Sequence, residues 1–98
     1  MQKMRVWSKK DNDIYYSDEK DFQLKLNEPE NILMACTGLI DATNAEIYIG
    51  DIVEDLAKSN EKIEVVGSTG EDLIVLRNGK QQPVFSKRVR TLGAKYKK

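Results

Sequence analysis

The stretch Thr37-Gly38-Leu39-Ile40-Asp41-Ala42-Thr43-Asn44-Ala45-Glu46-Ile47-Tyr48-Ile49-Gly50-Asp51-Ile52-Val53 organises the chain. Asp41 to Asn44 is a turn signal, because Asp and Asn side chains bond nearby backbone groups and tolerate left-handed geometry. Residues 46–49 are β-branched or aromatic in three positions of four, which predicts a strand. Gly50-Asp51 interrupts that strand and Ile52-Val53 resumes it. A glycine at such a place marks a bend, a bulge or a close backbone approach. Asp51 is suited to hold the bend by accepting backbone N–H bonds. Alternation along the strand sends Tyr48 and Ile49 to opposite sides.

Working outward, residues 4–7 read as a strand, 9–13 as a turn and 14–16 as the returning arm of a hairpin. Phe22, Leu24 and Leu26 alternate with Gln23 and Lys25, the period of a half-buried strand. Residues 27–31, with Pro29, form a connection. Residues 32–36 are a continuous apolar run whose short length favours a strand. Residues 54–61 read either as a helical turn carrying Leu56 and Ala57 or as a loop. Ile63 and Val65 mark a strand, and Gly67 to Gly70 a loop. Asn78-Gly79 lies between two extended runs covering 73–85 and suits a two-residue type I′ turn, in which both residues need positive φ. Pro83 has no N–H to give a ladder, so its strand belongs at an edge or a bulge. A turn at 86–88, a strand at 89–92 and a frayed basic tail complete the chain, with 94–98 beyond the last strand.

Many short strands, closely spaced turns and no long helix indicate a mostly β chain, a small barrel or sandwich. The order Gly50-Asp51-Ile52-Val53, strand, hairpin, last strand is that of an SH3-like barrel over about residues 47–93. Strands in residues 1–46 would pack on it as an N-terminal subdomain, all within one domain of 98 residues.

Composition bounds the chemistry. The chain is 40% hydrophobic and 33% charged, enough for one core and unlike a disordered segment. Sixteen basic and sixteen acidic residues cancel, so overall charge points neither to nucleic acid nor to a membrane surface. The layout is uneven, with nine acids against two lysines in 41–72 and eight basic residues without an acid in 73–98. These blocks are expected to pair within the fold or lie solvated, rather than to mark an acidic partner. No histidine is present, which removes the commonest general base and most transition-metal sites. The single Cys36 reads as a small buried hydrophobe. Asp51, Glu54 and Asp55 could offer oxygens to a divalent ion but read as a solvated acidic turn with Asp51 as a local cap. Gly67-Ser68-Thr69-Gly70 lacks the spacing of a phosphate loop. The expectation is a protein that is not an enzyme, with no cofactor, metal or small-molecule substrate. The first ten residues are too polar for a signal peptide and no apolar run reaches membrane length, so a cytoplasmic location is expected.

The 37–53 stretch resembles the signature of YopX-like proteins. Gly38, Leu39, Asp41, Asn44, Glu46, Ile47, Tyr48, Gly50, Asp51, Ile52 and Val53 carry the resemblance, with Arg5-Val6-Trp7 and Leu33-Met34 in support. Ala45 stands where the family turn has glycine, and Ser8 where aspartate is usual, so a looser turn is expected at Ala45. Residues 68–98 carry little of the likeness. The resemblance implies a small, mostly β protein of bacteriophage or prophage origin, acting in the bacterial host cell, and brings no catalytic residues with it.

Two functions are then open. One is an accessory protein that binds protein, either a second copy through exposed strand edges or a host or phage partner. The other is a nucleic-acid-binding barrel using Arg77, Lys80, Lys87, Arg88 and Arg90. Phe85 lies among those basic residues but reads as core, and Tyr96 as tail. One exposed basic stripe would favour the second function. Pairing of those residues with Glu54, Asp55, Glu61 and Glu64 would favour the first.

Overall fold

A computed structural model describes residues 3–97. Its strands are β1 (Met4–Ser8), β2 (Asp13–Tyr16), β3 (Ile32–Ile40), β4 (Glu46–Tyr48), β5 (Asp51–Asp55), β6 (Glu61–Thr69), β7 (Asp72–Arg77), β8 (Lys80–Phe85) and β9 (Val89–Ala94). One short helix, α1 (Phe22–Leu26), lies between β2 and β3, and a 3₁₀ turn, Ser86–Arg88, precedes β9. All pairings are antiparallel. They form a four-stranded sheet ordered β2-β1-β3-β4 and a five-stranded sheet ordered β8-β7-β6-β5-β9.

The five-stranded sheet has the SH3-like order, with its last strand returning beside its first after the 3₁₀ turn. Alternation along its strands puts Val53, Ile63, Val65, Leu73, Val75, Val84 and Val89 on one face, where the sheet curls around them. This half-barrel spans 51–94 rather than starting at residue 47. Residues 46–48 pair instead with β3, where Cys36 lies opposite Tyr48. The strand still serves both sheets. Ile47 points into the half-barrel core, whereas Tyr48 joins Met34 and Cys36 in a second core. Both side chains are buried because each face of β4 meets a different sheet.

Four further sequence expectations change. The alternating run 22–26 is a single helical turn, not a strand. Phe22 and Leu26 are also four apart, which suits one helical face. Phe22 is buried while Leu24 is 68% exposed, and Asn27 N–H donates to the carbonyl of Gln23. Residues 54 and 55 extend β5, and the turn at 56–60 uses positive φ at Ser59 and Asn60. The C-terminal residues are held rather than frayed. Lys95 N–H donates to Gly50 O at 2.9 Å, and the Tyr96 ring lies 5.7 Å from that of Trp7. β6 also continues through the expected loop to Thr69, bulging near Gly67. The Asn78-Gly79 turn has positive φ at both residues, and Pro83 sits on the outermost strand of its sheet, both as expected.

Candidate functional site

The family-like stretch builds the junction between the two sheets. Asp41 is fully buried at the turn between β3 and β4. Its Oδ1 accepts the Thr43 N–H at 2.8 Å, the Thr43 hydroxyl at 2.7 Å and the Ala45 N–H at 3.0 Å. Its Oδ2 accepts the Thr91 N–H of β9 at 2.7 Å, so one carboxylate closes its own turn and ties it to the other sheet. Burial pushes its pKa up. The bonds from Thr91, Thr43 and Ala45 overcome that and bring it down to about 2. Asn44 has φ 69°, which permits the turn despite Ala45 replacing glycine. Gly38 has φ 80° within the β3 irregularity, where the Thr37 hydroxyl donates to Ile47 O and accepts the Leu39 N–H.

Gly50 and Asp51 form the expected bend and more. Gly50 has φ 99°, and an added Cβ would meet Met34 Cε at 3.0 Å and Tyr96 Cε2 at 3.3 Å. Asp51 accepts the Tyr48 N–H at 2.8 Å. Its other oxygen takes the buried Arg5 guanidinium, 46 positions earlier in sequence. Arg5 also lies over the Tyr48 ring, 4.1 Å from its centroid. Burial, the largest influence, pushes the Asp51 carboxyl up, opposed by the Tyr48 N–H and Arg5. Burial likewise raises the Tyr48 hydroxyl to about 12. Arg5 Nε is buried without a hydrogen-bond partner.

Beside this ion pair the sheets part to leave a cleft of about 650 Å³. Lys3, Arg5, Tyr16, Asp18, Glu46 and Tyr48 line it from the four-stranded sheet and its turns, and Thr91, Leu92 and Gly93 from β9. Lys3 pairs with Glu46 at 2.9 Å across the rim. Tyr16 and Leu92 remain 42% and 43% exposed there. Sequence reasoning missed Arg5, Tyr16, Asp18 and Leu92. The one available signal was Arg5 in an apolar strand, and no local pattern names a partner 46 positions away.

The late basic residues do not form an open stripe. Arg88 grips Asp55 with two bonds, Nε to Oδ1 at 3.0 Å and Nη2 to Oδ2 at 2.8 Å. Arg77 donates to Asp55 Oδ2 at 2.7 Å and to Glu61 at 2.6 Å. Arg90 Nε donates to Glu54 at 3.0 Å, and Lys95 pairs with Glu64 at 2.8 Å. Lys87 reaches Asn44 Oδ1 at 3.4 Å, and Lys80 is exposed at the β7–β8 turn. Asp51, Glu54 and Asp55 are thus buried partners of arginines, not a solvated acidic turn. The Arg88 bonds, with those from Ala57 and Arg77, hold Asp55 far below the usual carboxylate range against its burial. Phe85, expected in the core, is 48% exposed beside Pro83 on the outer face of the half-barrel. Among the described residues no group of three or more Asp, Glu or Cys could hold a metal ion, and no helix is long and apolar enough to cross a membrane.

Each sheet edge is occupied in part. Ser17 N–H donates to Met4 O, so by the antiparallel alternation Ile14 and Tyr16 turn their N–H groups outward from β2. The carboxylates of Asp13 and Glu19 take those two groups. On β4 the outward Tyr48 N–H is taken by Asp51. On β9 the Asp41 turn takes the Thr91 N–H and gives the Ala42 N–H to Val89 O. On β8 the two-residue turn puts residue 83 among the outward positions, and that residue is proline.

No curated protein matches the chain. A family model described as YopX protein matches residues 19–96, which reaches well beyond the 37–53 signature and includes the C-terminal strands. With its turn, bend and β9 contact all inside that match, the chain belongs to the YopX family.

Proposed function

We propose that this is a non-enzymatic accessory protein of bacteriophage or prophage origin, working in the cytoplasm of the bacterial host by binding another protein through the cleft between its sheets. The observation that carries this is the cleft itself, where Tyr16 and Leu92 stay exposed in a concave site of ligand-binding size. Large apolar groups gathered in a concavity are characteristic of binding sites. The carboxylate and proline blocks along the edges favour a host or phage partner over a second copy joined strand to strand. The internal pairing of Arg77, Arg88 and Arg90 counts against the alternative, a nucleic-acid-binding barrel using these with Lys80 and Lys87.

The test is site-directed photo-crosslinking in host cells, with the crosslinker placed at residue 92 or, as control, at residue 58. A discrete protein adduct from residue 92 and none from residue 58 is expected. Absence of any adduct, together with DNA or RNA binding at about 50 mM salt that weakens steeply as salt rises, would overturn the reading in favour of the alternative.

A further inference from the structure

Resting on that reading, we infer that the cleft accepts an extended main-chain segment of the partner, rather than a folded surface, a nucleic acid or a small anion. The charges of the cleft cancel in pairs. Lys3 is matched by Glu46 and Arg5 by Asp51, and Asp18 has no ion-pair partner among the described residues. An anionic ligand gains little from cations already neutralised and meets Asp18 and Glu46 as well. A polypeptide backbone is uncharged and offers a donor and an acceptor at nearly every residue. The walls present the complement of both. Arg5, in the lining, carries five N–H donors of which Asp51 takes one, and Asp18 presents carboxylate oxygens.

The β9 wall suits a passing chain. The ladder between β5 and β9 slips between Ile52 and Val53, so Leu92 is the extra residue of a bulge. A bulge leaves backbone groups of the extra residue unpaired and re-aims its side chain. Gly93 follows at φ 118° with nothing within 4 Å of where a Cβ would stand, so a second backbone can approach closely. Leu92 from one sheet and Tyr16 from the other supply apolar contacts for side chains of the entering segment. Main-chain bonds would then carry affinity and these two residues selectivity, as in other strand-binding sites.

The test pans a random dodecapeptide library displayed on filamentous phage against the full-length chain. Enriched peptides are titrated against the wild type, Leu92→Glu and Asp18→Lys, with amide shifts mapped by NMR and each variant checked for an unchanged melting curve. The expected result is binding that weakens about tenfold or more in Leu92→Glu, with shifts confined to residues 3–5, 16–18 and 91–93. A partner that crosslinks at residue 92, with no peptide enriched or none affected by either substitution, overturns the extended-segment inference and leaves protein binding standing. No peptide and no crosslinked partner overturns both.

Discussion

Asp41 shows how one carboxylate can hold a turn and a sheet junction together. Replacing it with alanine leaves the Thr91, Thr43 and Ala45 N–H groups without their acceptor, so Asp41→Ala is expected to cost about 3 kcal/mol in urea denaturation. Its pH dependence follows from its sign. The folded pKa, about 2, lies below the ordinary 3.8. Its stabilisation is therefore complete above the unfolded value and lost as pH falls from about 4 through 2. The loss is about 2 kcal/mol. Asp55 acts in the same direction, and Asp51, raised by burial, in the opposite one. Acid unfolding of Asp41→Asn should have a visibly shallower slope than that of the wild type. At the neighbouring pair, Asp51→Ala strands the buried Arg5 cation and is expected to cost about 3–5 kcal/mol. The double variant Arg5→Met/Asp51→Ala should recover part of that, measured in the same denaturation series. The sequence marked Asp41, Gly50 and Asp51 as turn and bend residues from their own chemistry. It could not mark Thr91 or Arg5 as their partners, since those contacts exist only after both sheets form.

At the level of elements, β4 and β8 carry the informative behaviour. Two adjacent residues of β4, Ile47 and Tyr48, feed two cores because their side chains face opposite sides. Ile47→Ala should therefore cost about 2–4 kcal/mol by emptying the half-barrel core. On β8, Pro83 removes the outward donor in the middle of an edge. Pro83→Val restores that N–H beside Leu76 and Phe85, which are 38% and 48% exposed. This variant should keep its melting temperature within a few degrees, yet show concentration-dependent association in sedimentation experiments. The misread element, α1, shows the limit of periodicity. Apolar residues at 22, 24 and 26 satisfy a strand, while 22 and 26 alone satisfy one helical turn.

For the whole molecule, the uneven charge layout is resolved by folding. The acidic middle becomes β5 and β6, and the basic C-terminal region becomes β7 to β9 and the residues after them, so the hairpins bring opposite charges together. Asp55 is held by two arginines, and Arg88→Ala should lower the melting temperature. The same substitution should leave nucleic-acid retention in filter binding at its background level, because the side chain serves the fold. The C-terminal residues close the assembly through Tyr96 on Trp7 and Lys95 on Glu64. Removing residues 95–98 should shift the Trp7 emission to longer wavelength and lower the melting temperature.

By itself the sequence named the family through its 37–53 signature, and it determined the mostly β class, the turn at Asp41 to Asn44, the bend at Gly50, the Asn78-Gly79 hairpin and the placement of Pro83 at an edge or a bulge. These structural features rest on local backbone preference or on alternation, which act over a few residues. Tertiary structure alone decided that Arg5 pairs with Asp51, that Arg77 and Arg88 share Asp55, and that Tyr16 and Leu92 face one cleft. Those arrangements join residues tens of positions apart, and only the register of two packed sheets brings them within bonding distance.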